Sequence, residues 1–157
     1  MNPHFHYIHK HGVEKVQPCF QLSKIHMLSK LHASMLERQL PVYSVDEALT
    51  NIEAAGDDLA WLGGETFLAL VTMGTEWHSP GIILSEEAVG PKAGYDKIDV
   101  DEFLAGMEAL AEYLGCDKFH IGTLANPKQS AFTRLLASKG MTVASTTLYR
   151  NTSHGKR

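Results

Sequence analysis

Cysteine is scarce. Cys19 and Cys116 are the two in 157 residues, too few for a disulfide framework and too far apart for a metal knuckle, so both read as free thiols in a packed interior. No apolar run approaches the roughly 20 residues that cross a bilayer, and the polar, histidine-rich start lacks a signal-peptide core. The expectation is a cytoplasmic chain, or one packaged from an intracellular pool. Positive charge is also short: 14 Lys and Arg against 18 Asp and Glu give −4 at pH 7, with a pI near 6.1. That balance argues against a general nucleic-acid binder, although the tail RNTSHGKR is locally basic. There is no G-x-S-x-G, Walker loop or His-Glu-x-x-His, so nucleophile-elbow, NTPase and zincin chemistry have no support. Repeats, linkers and low-complexity segments are missing too.

What is present is a globular composition, 44% hydrophobic and 20% charged, of a size that suits one core. One domain over 1–157 is expected, with a His-rich segment at 1–17 and a polar tail at 151–157. HFHYIHKH gathers His4, His6, His9 and His11. In a strand the first two share one face and the last two the other, so no dedicated metal site is expected. His78, beside Trp77 and Glu76, is the histidine best placed to touch a substrate.

After a candidate first strand, Leu22, Ile25, Leu28, Leu31 and Met35 form one helical stripe. Ser44 with Glu47 makes a capping box for a second helix that Gly56 ends. Runs on either side of Gly63 and Gly64 predict a hairpin, and GIILSEEAV a third strand of the same meander. Asp99 caps the next helix, with Glu102 as its reciprocal partner and Ile98 stapled to Phe103. Phe103, Met107, Leu110 and Leu114 form its buried stripe, and Gly115 ends it. KFHIGTLA follows, parallel to GIILSEEAV through a right-handed crossover. Asn126 and Pro127 start a further helix with Phe132, Leu135 and Leu136 on its apolar face, Gly140 stops it, and TVASTTLYR is a last strand. The fold class is α/β: a single mixed β-sheet with flanking helices.

That order resembles the GNAT superfamily of acyl-CoA-dependent N-acyltransferases, most closely from Phe67 to Arg150. VGPKAG is similar to the end of the family's fourth strand and the start of its pyrophosphate loop. FLAGMEALAEYLGCDKFHIGTL resembles the next helix and strand, and FTRLLASKGMTVASTTLYR the closing helix and strand, with Gly140-Met141 for the usual Gly-Phe. The resemblance implies a sheet splayed between two parallel strands and acetyl-CoA as cofactor. Val89, Gly90, Lys92, Ala93, Gly94, Tyr95 and Asn126 are the residues it assigns to that cofactor. Glu86 or Glu87 would deprotonate an amine acceptor. Leu136 stands where many members have a proton-donating tyrosine, which leaves Tyr149, with Tyr95, as a substitute acid. Asp96, Asp99 and Asp101 put negative charge where the cofactor's phosphates would sit, so weak cofactor binding is expected, with Lys92 and Lys97 offsetting part of it. The chain is also similar to acetyltransferase-like internal virion proteins of short-tailed phages, which implies the alternative of an inactive scaffold that binds protein partners.

Overall fold

The computed structural model describes residues 4–9, 12–16, 21–38, 40, 42–122, 129–144, 150 and 152. The chain divides into two compact units, Met1–Pro127 and Lys128–Arg157.

The first unit holds a six-stranded mixed sheet. Its strands are β1 (His4–His9), β2 (Gly12–Val16), β3 (Ala60–Gly63), β4 (Phe67–Glu76), β5 (Ser79–Pro91) and β6 (Lys118–His120), arranged β2-β1-β3-β4-β5-β6. Helices α1 (Gln21–Glu37), α2 (Val45–Ala55) and α3 (Val100–Leu114) flank it. The expected single N-terminal strand is a hairpin: β1 runs antiparallel to β2 and parallel to β3. The expected meander is present, because β3, β4 and β5 pair antiparallel in succession.

Phe67–Val71 of β4 is buried on both sides, and its alternation sorts the core into two layers. Leu68 and Leu70, with Trp61 and Ala88, pack against Met27 and Leu28 of α1 and Leu49 and Ile52 of α2. Phe67, Ala69 and Val71, with Leu62 and Leu84, pack against Phe103, Met107 and Leu110 of α3. Each of those α3 side chains is fully buried, and each such burial stabilises the fold by about 1.5–3 kcal/mol.

The stripe expected on α1 is rotated. Leu22 is 77% and Ile25 39% exposed, while Ser23, Lys24, Met27, Leu28 and Ser34 are buried. Lys24 is accommodated because its ammonium lies 5.2 Å from the Trp61 ring centroid, where the ring's negative face attracts it. The α2 capping box is complete, with Ser44 and Glu47 bonded reciprocally. Gly115 ends α3 in the left-handed conformation at φ 76°.

In the second unit, α4 spans Gln129–Ser138, with Phe132 and Leu136 buried and Leu135 40% exposed rather than on the apolar face. Met141–Ala144 has no regular structure. Asn126, Pro127 and Ser145–Tyr149 of the expected helix start and last strand lie outside the described residues.

Candidate active site

β5 and β6 are adjacent and parallel, as a helical crossover between them requires. Their backbones pair at only three positions, Ile83 with Lys118, Leu84 with Phe119 and Ser85 with His120. Beyond Ser85 the strand continues to Pro91 while β6 stops at His120. The partnership with β4 changes at the same point: Leu70 faces Ala88 but Val71 faces Glu86. Glu87 is thus the extra residue of a β-bulge, a feature that bends a strand and increases its twist. A bulge beside a strand that has lost its neighbour makes a wedge, with its apex at Ser85 and His120. From Glu86 to Pro91, β5 continues as about 16 Å of extended chain; residues 123–128, which follow β6, lie outside the described residues.

Glu86 and Glu87 stand at this apex with different environments. Glu86 is half-buried, and its Oε2 accepts the Gly122 amide at 2.9 Å. Burial pushes its carboxyl up to about 7; the Gly122 hydrogen bond opposes the shift and the Glu87 charge adds to it. Its Oε1 makes no hydrogen bond among the described residues. Glu87 is exposed and accepts a long bond from Thr72 Oγ1, 3.4 Å. A carboxyl that titrates near neutrality and keeps one oxygen unbonded is suited to taking a proton at pH 7 and above.

Past the end of β5 lies a cleft of about 490 Å³, lined by Thr66, Gly94, Tyr95, Asp96, Lys97, Ile98 and Asp99. Gly94 turns the chain with φ +94°, a conformation that costs glycine little. Of the residues assigned to cofactor, Gly94 and Tyr95 line this cleft. Val89 packs on the α3-side core. Gly90 is buried so close to α1 that a Cβ there would lie 2.8 Å from Met27 Cγ. Ala93 is exposed in the turn. Lys92 is committed elsewhere: its amide donates to Thr66 O at 2.9 Å and its ammonium to Gly64 O at 3.0 Å. Asn126 and Tyr149 lie outside the described residues.

The expected reciprocal cap at α3 is replaced by a longer-range lock. Asp99 Oδ1 accepts the amides of Asp101 and Glu102, at 3.0 and 3.2 Å. Glu102 does not return to Asp99. Its Oε2 accepts the Glu65 amide at 2.9 Å, and its Oε1 accepts the Thr66 amide at 3.0 Å and the Thr66 hydroxyl at 2.6 Å. The vacated role falls to Thr66, whose Oγ1 accepts the Asp99 amide at 2.9 Å. The start of α3 is therefore poorly suited to the nucleotide end of an acyl-CoA, because two of its first-turn amides, of Asp101 and Glu102, already bind the chain's own carboxylate.

Near the β4–β5 turn, Glu76 gathers a lysine and two histidines. Its Oε2 lies 3.3 Å from Lys118 Nζ and 3.7 Å from His78 Nε2, and its Oε1 lies 3.6 Å from His120 Nδ1. His78 is thus held beside Glu76, edge-on to the exposed Trp77. Among the described residues no three His, Cys, Asp or Glu are grouped to hold a metal, and no helix is long and apolar enough to cross a membrane. Sequence reasoning missed Thr66, Gly122 and the role of Glu102, whose partners lie 36 or 37 positions away. The bulge did leave a trace, since Glu86-Glu87 interrupts the alternation of β5.

No protein-family model matches the chain, and no curated protein matches it in sequence. Its structure is similar to a solved crystal structure described as a "putative acetyltransferase from Arthrobacter sp. FB24". The TM-score is 0.57 at 19% identity, over 87% of this chain and 94% of that one. The likeness shows an acetyltransferase-like fold.

Proposed function

We propose that this chain transfers an acyl group from a thioester to an amine, with Glu86 as the base. The observation that carries this reading is a half-buried carboxyl, raised to about 7, at the apex of a wedge between parallel strands. Glu86 Oε1 takes a proton from the acceptor's ammonium. The amine nitrogen then attacks the thioester carbonyl and the C–S bond breaks; the departing thiolate takes the second proton that the nitrogen sheds on becoming an amide, and Glu86 gives its own proton to solvent, with no covalent enzyme intermediate. Glu87, solvated and bonded to Thr72, tunes Glu86 through its charge.

Thiol release is the test, with acetyl-CoA and S-acetylpantetheine as donors and a panel of primary amines as acceptors. Glu86→Gln should lower kcat/KM by about 100-fold or more. Undiminished turnover in that variant rules the reading out.

A second reading, a partner-binding protein without catalysis such as an internal virion component, is favoured by the closed start of α3. It predicts no thiol release from any donor, together with recovery of the chain in a large particle.

A further inference from the structure

The proposed transfer leaves one proton without a carrier. The amine nitrogen sheds two on becoming an amide, Glu86 takes the first, and the departing sulfur needs the second. Leu136 has no proton to give, and Tyr95 lines the cleft past the end of β5. His120 stands at the apex of the wedge. Its backbone partner is Ser85, the residue before Glu86. Gly122, whose amide holds Glu86 Oε2 at 2.9 Å, follows two residues later, so the His120 and Gly122 Cα atoms are at most about 7 Å apart. Phe119 packs into the α3-side core, which turns His120 to the opposite face of the sheet. There it shares a row with Thr72 and Ser85, through the pairs Thr72–Ser85 and Ser85–His120. The His120 side chain is 35% exposed, so a ligand can reach the ring.

That ring is held by one oxygen of a carboxylate whose other oxygen is already engaged. Glu76 Oε2 meets Lys118 Nζ at 3.3 Å and His78 Nε2 at 3.7 Å, whereas its Oε1 lies 3.6 Å from His120 Nδ1. Lys118 is fixed in turn by donating to Ser79 Oγ at 3.0 Å. Among the described residues Oε1 has no other partner, and His120 Nε2 has none. A carboxylate at Nδ1 favours the tautomer with its proton there, and it stabilises the imidazolium formed when Nε2 is protonated. We propose that His120 carries the second proton of this acyl transfer, with Glu76 as its positioning residue. Nε2 takes the proton from the amine nitrogen as the C–N bond forms and gives it to sulfur as the C–S bond breaks. The imidazole ends neutral, as it began. This rests on the acyl-transfer reading above and adds its second proton-transfer group.

Two donors that differ in their leaving group test it on the full chain, with thiol release as the readout. The alkyl thiolate of acetyl-CoA needs a proton to depart, whereas the thiophenolate of S-phenyl thioacetate leaves without one. His120→Asn should lower kcat with acetyl-CoA about 100-fold and leave KM within about threefold. With S-phenyl thioacetate the same variant should lose less than about threefold. Glu76→Gln should show this donor pattern in weaker form, and it carries the comparison if His120→Asn fails to fold. The proposal is overturned by variants that lose both donors equally, by variants that lose neither, or by wild type that turns over neither. Glu86→Gln judges the acyl-transfer reading separately, because loss of the base should slow both donors alike. A Glu86 loss on both donors with no donor pattern at His120 sinks this proposal alone.

Discussion

Glu86 and Gly122 are joined across the parting of two parallel strands, the carboxylate Oε2 accepting the glycine amide at 2.9 Å. One residue earlier, Ser85 and His120 make the last backbone pair of β5 and β6. A side chain therefore takes up the acceptor role that a main-chain carbonyl would fill in an unbroken ladder. The strands can then separate without leaving that N–H unmet.

Glu86 makes stability depend on pH in a direction opposite to most carboxylates. Its folded value of about 7 lies above the ordinary 4.5, so between these limits the folded state holds the proton more tightly than the unfolded chain. The stabilisation is complete below about pH 4.5 and is lost as pH rises through 7, amounting to about 3 kcal/mol at most. Glu86→Gln should match wild type in urea unfolding at pH 5 and exceed it at pH 8. A difference unchanged between the two pH values would contradict the burial of this group.

In the acyl transfer proposed above, the same titration sets the rate. The carboxylate form is the base, so kcat/KM should rise with pH through a limb near 7. In Glu87→Gln that limb should move to lower pH, because a neighbouring negative charge is removed. Turnover at pH 8 should change little in this variant.

Glu102 holds the β3–β4 turn to α3 by accepting two amides and a hydroxyl. Glu102→Ala should cost about 2 kcal/mol in urea unfolding, since bonds to a charged acceptor are lost and a part-buried amide is left without one. Thr66→Val should cost less, because the Glu65 and Thr66 amides keep Glu102 as acceptor and only the two bonds of the Thr66 hydroxyl, to Glu102 and from the exposed Asp99 amide, are lost.

Gly90→Ala probes the packing of α1 on β5. The added methyl would lie 2.8 Å from Met27 Cγ, and Met27 is itself buried. A loss of about 1–2 kcal/mol is expected, read as a lower urea midpoint with an unchanged slope.

Cys116 should be a slow thiol. Burial, with Asp117's charge as a smaller contribution, raises its pKa above the ordinary value, so little thiolate is present at pH 7.5. Alkylation followed by peptide mass spectrometry should show it lagging a free cysteine, and Asp117→Asn should shorten the lag.

Local chemistry was legible in the chain itself. Ser44 with Glu47, Asp99 as a cap, Gly115 as a stop and the hairpin at Gly63-Gly64 each depend on residues within about four positions. Apolar runs and their alternation likewise announced β4, β5 and α3, and with them an α/β sheet. The burial of α1 was not legible, because Leu22 and Ile25 extend the stripe but point away from the sheet, and the buried Lys24 meets Trp61, far along the chain. Glu102 looked like a partner for Asp99 until the β3–β4 turn presented two amides and a hydroxyl to it. Glu86 and Glu87 were equivalent as letters. The bulge and the Gly122 amide made one a half-buried acid near neutrality and left the other in solvent, since periodicity and capping act within a few residues while burial and long-range hydrogen bonds exist only once distant segments have met.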